Sequence, residues 1–75
     1  MLRGDLIHIP QGTYLLEMAD DSLESYFKVD KPIKALYWDE DPRQPMWSTI
    51  FYKEKIWSIR NKDIYPILQE MENAS

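Results

Sequence analysis

The residues best suited to chemistry in this chain are aromatic rings that lie close to basic groups. Three tryptophans and five tyrosines occur among 75 residues, most of them between residues 37 and 65. Flat rings offer a large contact area at small entropic cost, and they are enriched at protein interfaces. The predicted binding surface consists of these rings and the basic residues beside them: Trp38, Trp47, Tyr52 and Trp57, with Lys53, Lys55 and Arg60 at the rim.

The same rings fit two further roles. A small barrel needs large side chains to fill its interior, so a structural role in the core is the first alternative. Rings beside the basic residues of segment 53–62 also fit a single-stranded nucleic-acid surface, where rings stack on bases and cations meet phosphates. The net charge of −4 disfavours that second role, because phosphate neutralisation supplies nonspecific nucleic-acid affinity. We therefore expect an unidentified protein partner.

Neither a catalytic centre nor a metal site is predicted. The acidic runs at 20–24 and 39–41 lack the alternating acids, central glycine and distal glutamate of an EF-hand loop, so we expect them to be solvated. His8 is the single histidine and has no histidine partner for a metal, and no Gly-x-Ser-x-Gly elbow supplies a nucleophile. We predict a protein without enzymatic activity and without a cofactor.

Length and composition limit the class of protein. Seventy-five residues, 44% of them hydrophobic, suffice for one small domain with a packed core. Cysteine is absent, so disulfides are excluded and nothing indicates an oxidising compartment. The N-terminus lacks the pattern of a signal peptide, and no apolar run is long enough to span a membrane. We expect a cytoplasmic protein with no membrane association.

Alternating polarity and turn residues indicate the elements that must position the rings. Strands are predicted over residues 4–9, 13–18, 33–38, 47–52 and 55–60, with a brief last strand over 64–67. Only Lys53-Glu54 separates the fourth of these segments from the fifth, which predicts a β-hairpin. Residues 19–31 are polar and acidic and predict a long loop, in which 20–26 has the capping residues of a helical turn. Segment 61–63 has the character of one 3₁₀ turn.

Pleating predicts which tryptophans face water. Alternate residues of a strand lie on opposite faces of a sheet. Trp38 shares its face with Lys34, and Trp57 shares its face with Lys55. We therefore expect at least one tryptophan to be exposed, and Trp38 and Trp57 are the best candidates.

Together the elements predict an all-β fold: a small, five-stranded, partly open barrel with a long acidic loop after the second strand and a 3₁₀ turn before the last strand. The opening Gly4-Asp5-Leu6-Ile7 and the ending Trp57-Ser58-Ile59-Arg60-Asn61-Lys62-Asp63-Ile64-Tyr65-Pro66-Ile67 resemble the SH3-like barrels, including small ones encoded by bacteriophages. The resemblance implies a single SH3-like domain over 4–67. We expect residues 68–75 to form a flexible tail. For a phage-type protein, the resemblance implies a host or phage protein as partner and the host cytoplasm as location.

The segment 35–39, Ala-Leu-Tyr-Trp-Asp, is similar to the opening of signalling SH3 domains. It lies in the middle of the chain and lacks the final tyrosine of that motif. No peptide-binding residue of that family is therefore assigned to this sequence.

The sequence thus predicts a noncatalytic module that acts by occupancy, with protein–protein interaction through the aromatic face as its leading function. Single-stranded nucleic-acid binding through the tryptophans and lysines of the 47–62 hairpin is the second candidate. A self-associating structural subunit is the third, because an open barrel edge can pair with a second copy. For the isolated chain we expect a monomer or a weak homo-oligomer.

Overall fold

A computed structural model describes residues 1–20, 22–42 and 44–67 of the chain. The strands are β1 (Leu6–Ile9), β2 (Tyr14–Ala19), β3 (Ser22–Lys28), β4 (Ile33–Glu40), β5 (Trp47–Tyr52), β6 (Lys55–Arg60) and β7 (Tyr65–Pro66). One 3₁₀ turn, η1 (Asn61–Asp63), precedes β7. The all-β prediction is confirmed, and within these ranges no helix has the length and apolarity needed to cross a membrane. The predicted flexible tail, 68–75, lies outside the described residues.

The strands form one antiparallel sheet in the order β3-β2-β6-β5-β4-β1-β7. The sheet therefore has seven strands, where six strand segments and a five-stranded barrel were predicted, and over the described ranges it is open, with β3 and β7 at its edges. β4, β5 and β6 are neighbours in sequence and in space, whereas β1 pairs with β4 on one side and with the distant β7 on the other. The Leu16–Ser58 pair joins β2 to β6.

The main correction concerns residues 19–31, where a long acidic loop with a helical turn was predicted. Most of this stretch is β3, which forms a hairpin with β2 through pairs such as Leu15 with Phe27. All residues of β3 are exposed except Phe27, which is half-buried. An edge strand that is wet on both faces lacks the alternation of apolar and polar residues by which strands are recognised, and backbone pairing alone fixes it.

The core lies on one face of the sheet and draws alternate residues from most strands. Its buried hydrophobic members are Ile7, Ile9, Leu15, Val29, Ala35, Tyr37, Ile50, Trp57, Ile59 and Ile64. On β4 the predicted separation of faces is confirmed, because Ala35 and Tyr37 are buried while Lys34, Leu36 and Trp38 are exposed. The opposite face of β4, β5 and β6 is thus left to solvent.

The β5–β6 hairpin and η1 have the predicted bounds. In the hairpin, Tyr52 pairs with Lys55, so Lys53 and Glu54 form a two-residue turn. Both turn residues have left-handed backbone angles, with φ of 50° and 63°. Positive φ at both central positions is the geometry of a type I′ turn, whose twist matches that of the flanking strands. The right-handed twist of the hairpin therefore overrides the preference of lysine and glutamate for negative φ.

Candidate functional site

The solvent-facing side of β4, β5 and β6 is the candidate site, which we call the outer face. Residues that alternate with the core residues of these strands define it: Leu36, Trp38, Trp47, Thr49, Phe51, Ile56, Ser58 and Arg60. Cross-strand pairing sets their order, because Leu36 lies opposite Phe51 and Phe51 lies opposite Ile56. The face is therefore held by backbone pairing of three adjacent strands.

Four of these residues form a continuous apolar strip, the outer strip: Leu36, Trp38, Phe51 and Ile56. The ring centroids of Trp38 and Phe51 are 5.9 Å apart. Leu36 is 38% exposed, Trp38 36% and Ile56 39%, so each keeps more than a third of its surface in water. A contiguous apolar patch on a small protein marks a site of interaction more often than scattered apolar residues do.

Arg3 covers part of Trp38. Its guanidinium carbon lies 4.6 Å from the centroid of the indole. Its Nε donates to the backbone oxygen of Trp38 at 3.2 Å, and its Nη2 pairs with Asp39 Oδ2 at 3.1 Å. The chain itself thus shows that this ring accepts a planar cation on its face, with a carboxylate beside it.

Trp47 forms the second aromatic centre of the outer face. It lies opposite Arg60, whose guanidinium carbon is 5.7 Å from the ring centroid. The backbone NH of Trp47 donates to the Gln44 carbonyl at 2.9 Å, and its carbonyl accepts from the Asp41 NH at 3.1 Å. These two hydrogen bonds hold the backbone of Trp47 where β5 begins.

Two grooves flank the Trp47–Arg60 pair. One, of about 500 Å³, is lined by the 10–14 loop, Lys62 and Asp63. The other, of about 590 Å³, is lined by Pro45, Met46, Asn61 and Lys62. Met46 is 76% exposed, so the second groove has a flexible apolar wall that adapts readily to a partner.

Two predicted site residues lie on the inner side of the hairpin. Trp57 is only 7% exposed and its indole NH donates to the Tyr52 carbonyl at 2.9 Å. The centroid of the Phe27 ring lies 6.2 Å from the centroid of the Tyr52 ring and 6.2 Å from that of the Trp57 ring. The prediction that Trp57 faces water is wrong. Lys55 does share its face, but Lys55 is the first residue of β6, where the face extends beyond the core.

The predicted basic rim is divided between the two ends of β6. Lys53 and Lys55 lie at the turn, where Lys53 Nζ is 4.7 Å from the Phe27 ring and Lys55 Nζ pairs with Glu17 at 3.5 Å. Arg60 lies at the opposite end of the strand, about 17 Å from Lys55 at the usual rise per residue. The structure therefore groups Trp38, Trp47 and Arg60 on one face, and places the other predicted residues around the hairpin turn.

Carboxyl groups line a further part of the outer face. A third groove, of about 470 Å³, has an apolar floor that includes Met18, Trp38 and Ile56. The carboxyl groups at its margin belong to Asp20, Asp39, Glu40 and Asp41. Within the described residues no group of three or more potential ligands is arranged to hold a metal ion.

Glu17, close to the hairpin turn, has a perturbed carboxyl group. The hydroxyl of Ser25 donates to Glu17 Oε1 at 2.6 Å, and Lys55 lies nearby. The Ser25 hydrogen bond first, and then the charge of Lys55, hold the pKa of Glu17 below its ordinary value of 4.5. The group is thus an anion at neutral pH, in keeping with a structural tie between β2, β3 and β6.

Sequence reasoning missed Arg3 and three members of the outer strip: Leu36, Phe51 and Ile56. The hairpin signal was sufficient to find two of them, because a two-residue turn at 53–54 puts residue 51 opposite residue 56.

Comparison of the chain with protein-family models, with curated proteins and with solved structures found no match.

Proposed function

We propose that this chain is a noncatalytic protein-binding module that engages its partner on the outer face. The observation that carries the proposal is the outer strip, a continuous and exposed apolar surface that spans three hydrogen-bonded strands. Rigid strands preorganise the strip, so little conformational entropy is lost when a partner covers it. Protein partners favour such a surface, with aromatic anchors at the centre and charges at the edge.

Charge on the outer face supports a protein partner of mixed charge. The cations Arg60 and Lys62 lie at the end of β6, beside Trp47. The acids Asp39 and Glu40 lie on the other side of β5, on β4. A partner segment with acidic groups at one end and basic groups at the other complements this polarity and is fixed in one direction.

The same distribution argues against single-stranded nucleic acid. A phosphate backbone needs cations along its track. On this protein Lys53 and Lys55 lie at the start of β6, whereas Arg60 and Lys62 lie at its end. The groove beside Trp38 carries carboxylates, which repel phosphate. Protein recognition is therefore the stronger proposal.

We further propose that the sheet is a variant of the SH3-like barrel. In this reading β1, β4, β5, β6 and β7 are the five barrel strands, and the β2–β3 hairpin is an elaboration of the first connection. The order of elements, the 3₁₀ turn before the last strand and the pairing of β1 with that strand support it. A host or phage protein in the host cytoplasm is then the partner and place to test first.

Affinity capture with matched variants tests the binding proposal. Immobilised wild type, Trp38→Ala and Tyr65→Ala proteins are compared in host lysate. Trp38 and Tyr65 are both exposed aromatic residues of strands, but Tyr65 lies on the edge strand β7, which β1 separates from β4 and the outer strip. We expect one protein to be retained by wild type and by Tyr65→Ala, and lost with Trp38→Ala. With that protein purified, Trp38→Ala should raise Kd about 30-fold, the equivalent of about 2 kcal/mol.

An NMR titration separates the alternatives. The indole NH signals of the three tryptophans are followed in ¹⁵N-labelled protein as a single-stranded oligonucleotide is added at low and at moderate salt. Shifts at Trp38 and Trp47 that fade as salt rises would support the nucleic-acid candidate. Indole signals indifferent to the oligonucleotide, with capture that does not distinguish Trp38→Ala from Tyr65→Ala, would contradict both proposals.

A further inference from the structure

The two edges of the sheet differ in how well they are protected. β7 has two residues, and one of them is Pro66, which has no NH to offer a further strand. β3 has seven residues with neither proline nor glycine, and its outer side has no neighbour in the described part of the chain. Its β-bulge lies beside Glu24, and residues 25–28 pair regularly with β2, so this stretch is a template for pairing with another strand.

From this edge we infer that β3 pairs with β3 of a second copy of the chain, antiparallel and around a two-fold axis at Tyr26. The inference is independent of the proposed function, because β3 is not part of the outer face. Exposed apolar side chains lie along this strand, with Leu23 55% and Tyr26 64% exposed.

The hydrogen bonds of the hairpin show which backbone groups are available. Val29 NH donates to the Thr13 carbonyl at 2.9 Å, and its carbonyl accepts from the Gly12 NH at 2.7 Å, so both backbone polar groups of Val29 point towards the segment that leads into β2. Backbone groups alternate in direction along an antiparallel ladder, so those of Phe27, opposite Leu15, point towards β2 as well. The NH and carbonyl groups of the intervening residues, Tyr26 and Lys28, are consequently turned to the open edge.

Charge then selects the register of the pairing. A two-fold axis at Glu24 places Glu24 opposite its own copy, and an axis at Lys28 does the same for Lys28, so each brings like charges together. With an axis at Ser25 or at Phe27, neither Glu24 nor Lys28 lies across from a residue of the opposite charge. Only the axis at Tyr26 places Glu24 of each copy opposite Lys28 of the other, twice in the dimer.

Both charged groups are available for this pairing. The β-bulge at Glu17/Met18 leaves Glu24 without a residue opposite it on β2. Among the described residues Glu24 makes no ion pair, and Lys28 only lies over the Tyr14 ring, with Nζ 5.8 Å from its centroid. Pairing therefore requires only that the Lys28 side chain rotates away from the Tyr14 ring. A closed two-fold pairing also covers the edge, so the assembly stops at two copies.

Sedimentation equilibrium of the full chain, from about 10 μM to about 1 mM, tests the inference. Wild type should dimerise in this range. Glu24→Lys should raise the dimer Kd at least about tenfold, since two attractive contacts become repulsive, and Lys28→Glu should do the same. Glu54→Lys, the same charge change at the exposed hairpin turn, is the matched control and should dimerise as wild type does.

Charge exchange makes the test specific for the register. The double variant Glu24→Lys/Lys28→Glu should regain the wild-type dimer, and an equimolar mixture of the two single variants should form heterodimers. Wild type that stays monomeric at the highest concentration would overturn the inference. So would a Glu24→Lys variant that dimerises like Glu54→Lys, or a double variant that remains as weak as the single ones.

Discussion

Replacement of Trp57 by alanine separates a structural ring from a binding ring. Trp57 is buried on the inner side of the β5–β6 hairpin, with Phe27 packed beside it and its NH bonded to the Tyr52 carbonyl. Alanine removes the ring, the ring contact and the hydrogen bond together. The cost should appear in the free energy of unfolding and not primarily in partner binding.

The magnitude follows from burial. Truncation of a buried tryptophan to alanine costs about 3–5 kcal/mol. A chain of 75 residues has a total stability of roughly 4–11 kcal/mol at the usual contribution per residue. Trp57→Ala should therefore remove much of the stability, whereas Trp57→Phe, which keeps a ring against Phe27, should cost about 1–2 kcal/mol.

Urea unfolding followed by far-UV circular dichroism measures these differences. Trp38→Ala is the control, because Trp38 is 36% exposed and on the outer face, and it should cost less than about 1.5 kcal/mol. A Trp57→Ala protein as stable as Trp38→Ala would refute the placement of Trp57 in the core. Equal losses of partner binding by the two variants, at concentrations where both are folded, would refute the assignment of the outer face.

Three further predictions concern the hairpin turn, η1 and Glu17. Glu54→Gly should raise the free energy of unfolding by about 1 kcal/mol, since residue 54 has a φ of 63° that glycine adopts without strain; a loss of stability in urea would contradict the type I′ turn. Asn61→Ala should cost about 1–3 kcal/mol, because the hydroxyl of the buried Ser48 donates to Asn61 Oδ1, and adding Ser48→Ala should recover part of that loss. The lowered pKa of Glu17, caused first by the Ser25 hydroxyl, contributes stability that is present above pH 4.5 and lost as the pH falls through the lower folded-state pKa. Thermal melts between neutral and acidic pH should accordingly show a smaller decline for Glu17→Gln than for wild type, and parallel curves would exclude this contribution.

Local sequence signals were sufficient for the central part of the sheet. The β5–β6 hairpin has a two-residue turn between two strongly alternating segments, and its bounds were predicted correctly. The face assignment of β4 was also correct, because Lys34 marks the side that faces water and pleating puts Leu36 and Trp38 on that same side. These elements have one dry and one wet side, which is the condition under which alternation is informative.

β3 lacks that condition. Its residues are exposed on both sides except at Phe27, and its position depends on backbone pairing with β2. Backbone hydrogen bonds do not depend on side-chain type, so the segment had the composition of a loop while adopting the geometry of a strand.

The candidate site was predicted in part for a related reason. Pleating correctly put Trp57 and Lys55 on one face, but it does not tell which face meets the core, and a lysine beside a turn extends past the core into water. The outer strip depends on the register between strands, which places Phe51 between Leu36 and Ile56. Register is a property of pairing that a single strand does not reveal.

The position of β1 between β4 and β7 has a consequence for how fast the protein folds. Leu6 pairs with Leu36, and Ile7 pairs with Pro66. β1 therefore pairs only with strands that are distant from it in the sequence. Closing such large loops costs entropy before any contact compensates for it. Sheets with mainly nonlocal pairing fold in milliseconds to seconds, far more slowly than helical bundles of similar size. We expect the local β2–β3 and β5–β6 hairpins to form first, so that the edges of β1 stay open to other chains during that interval.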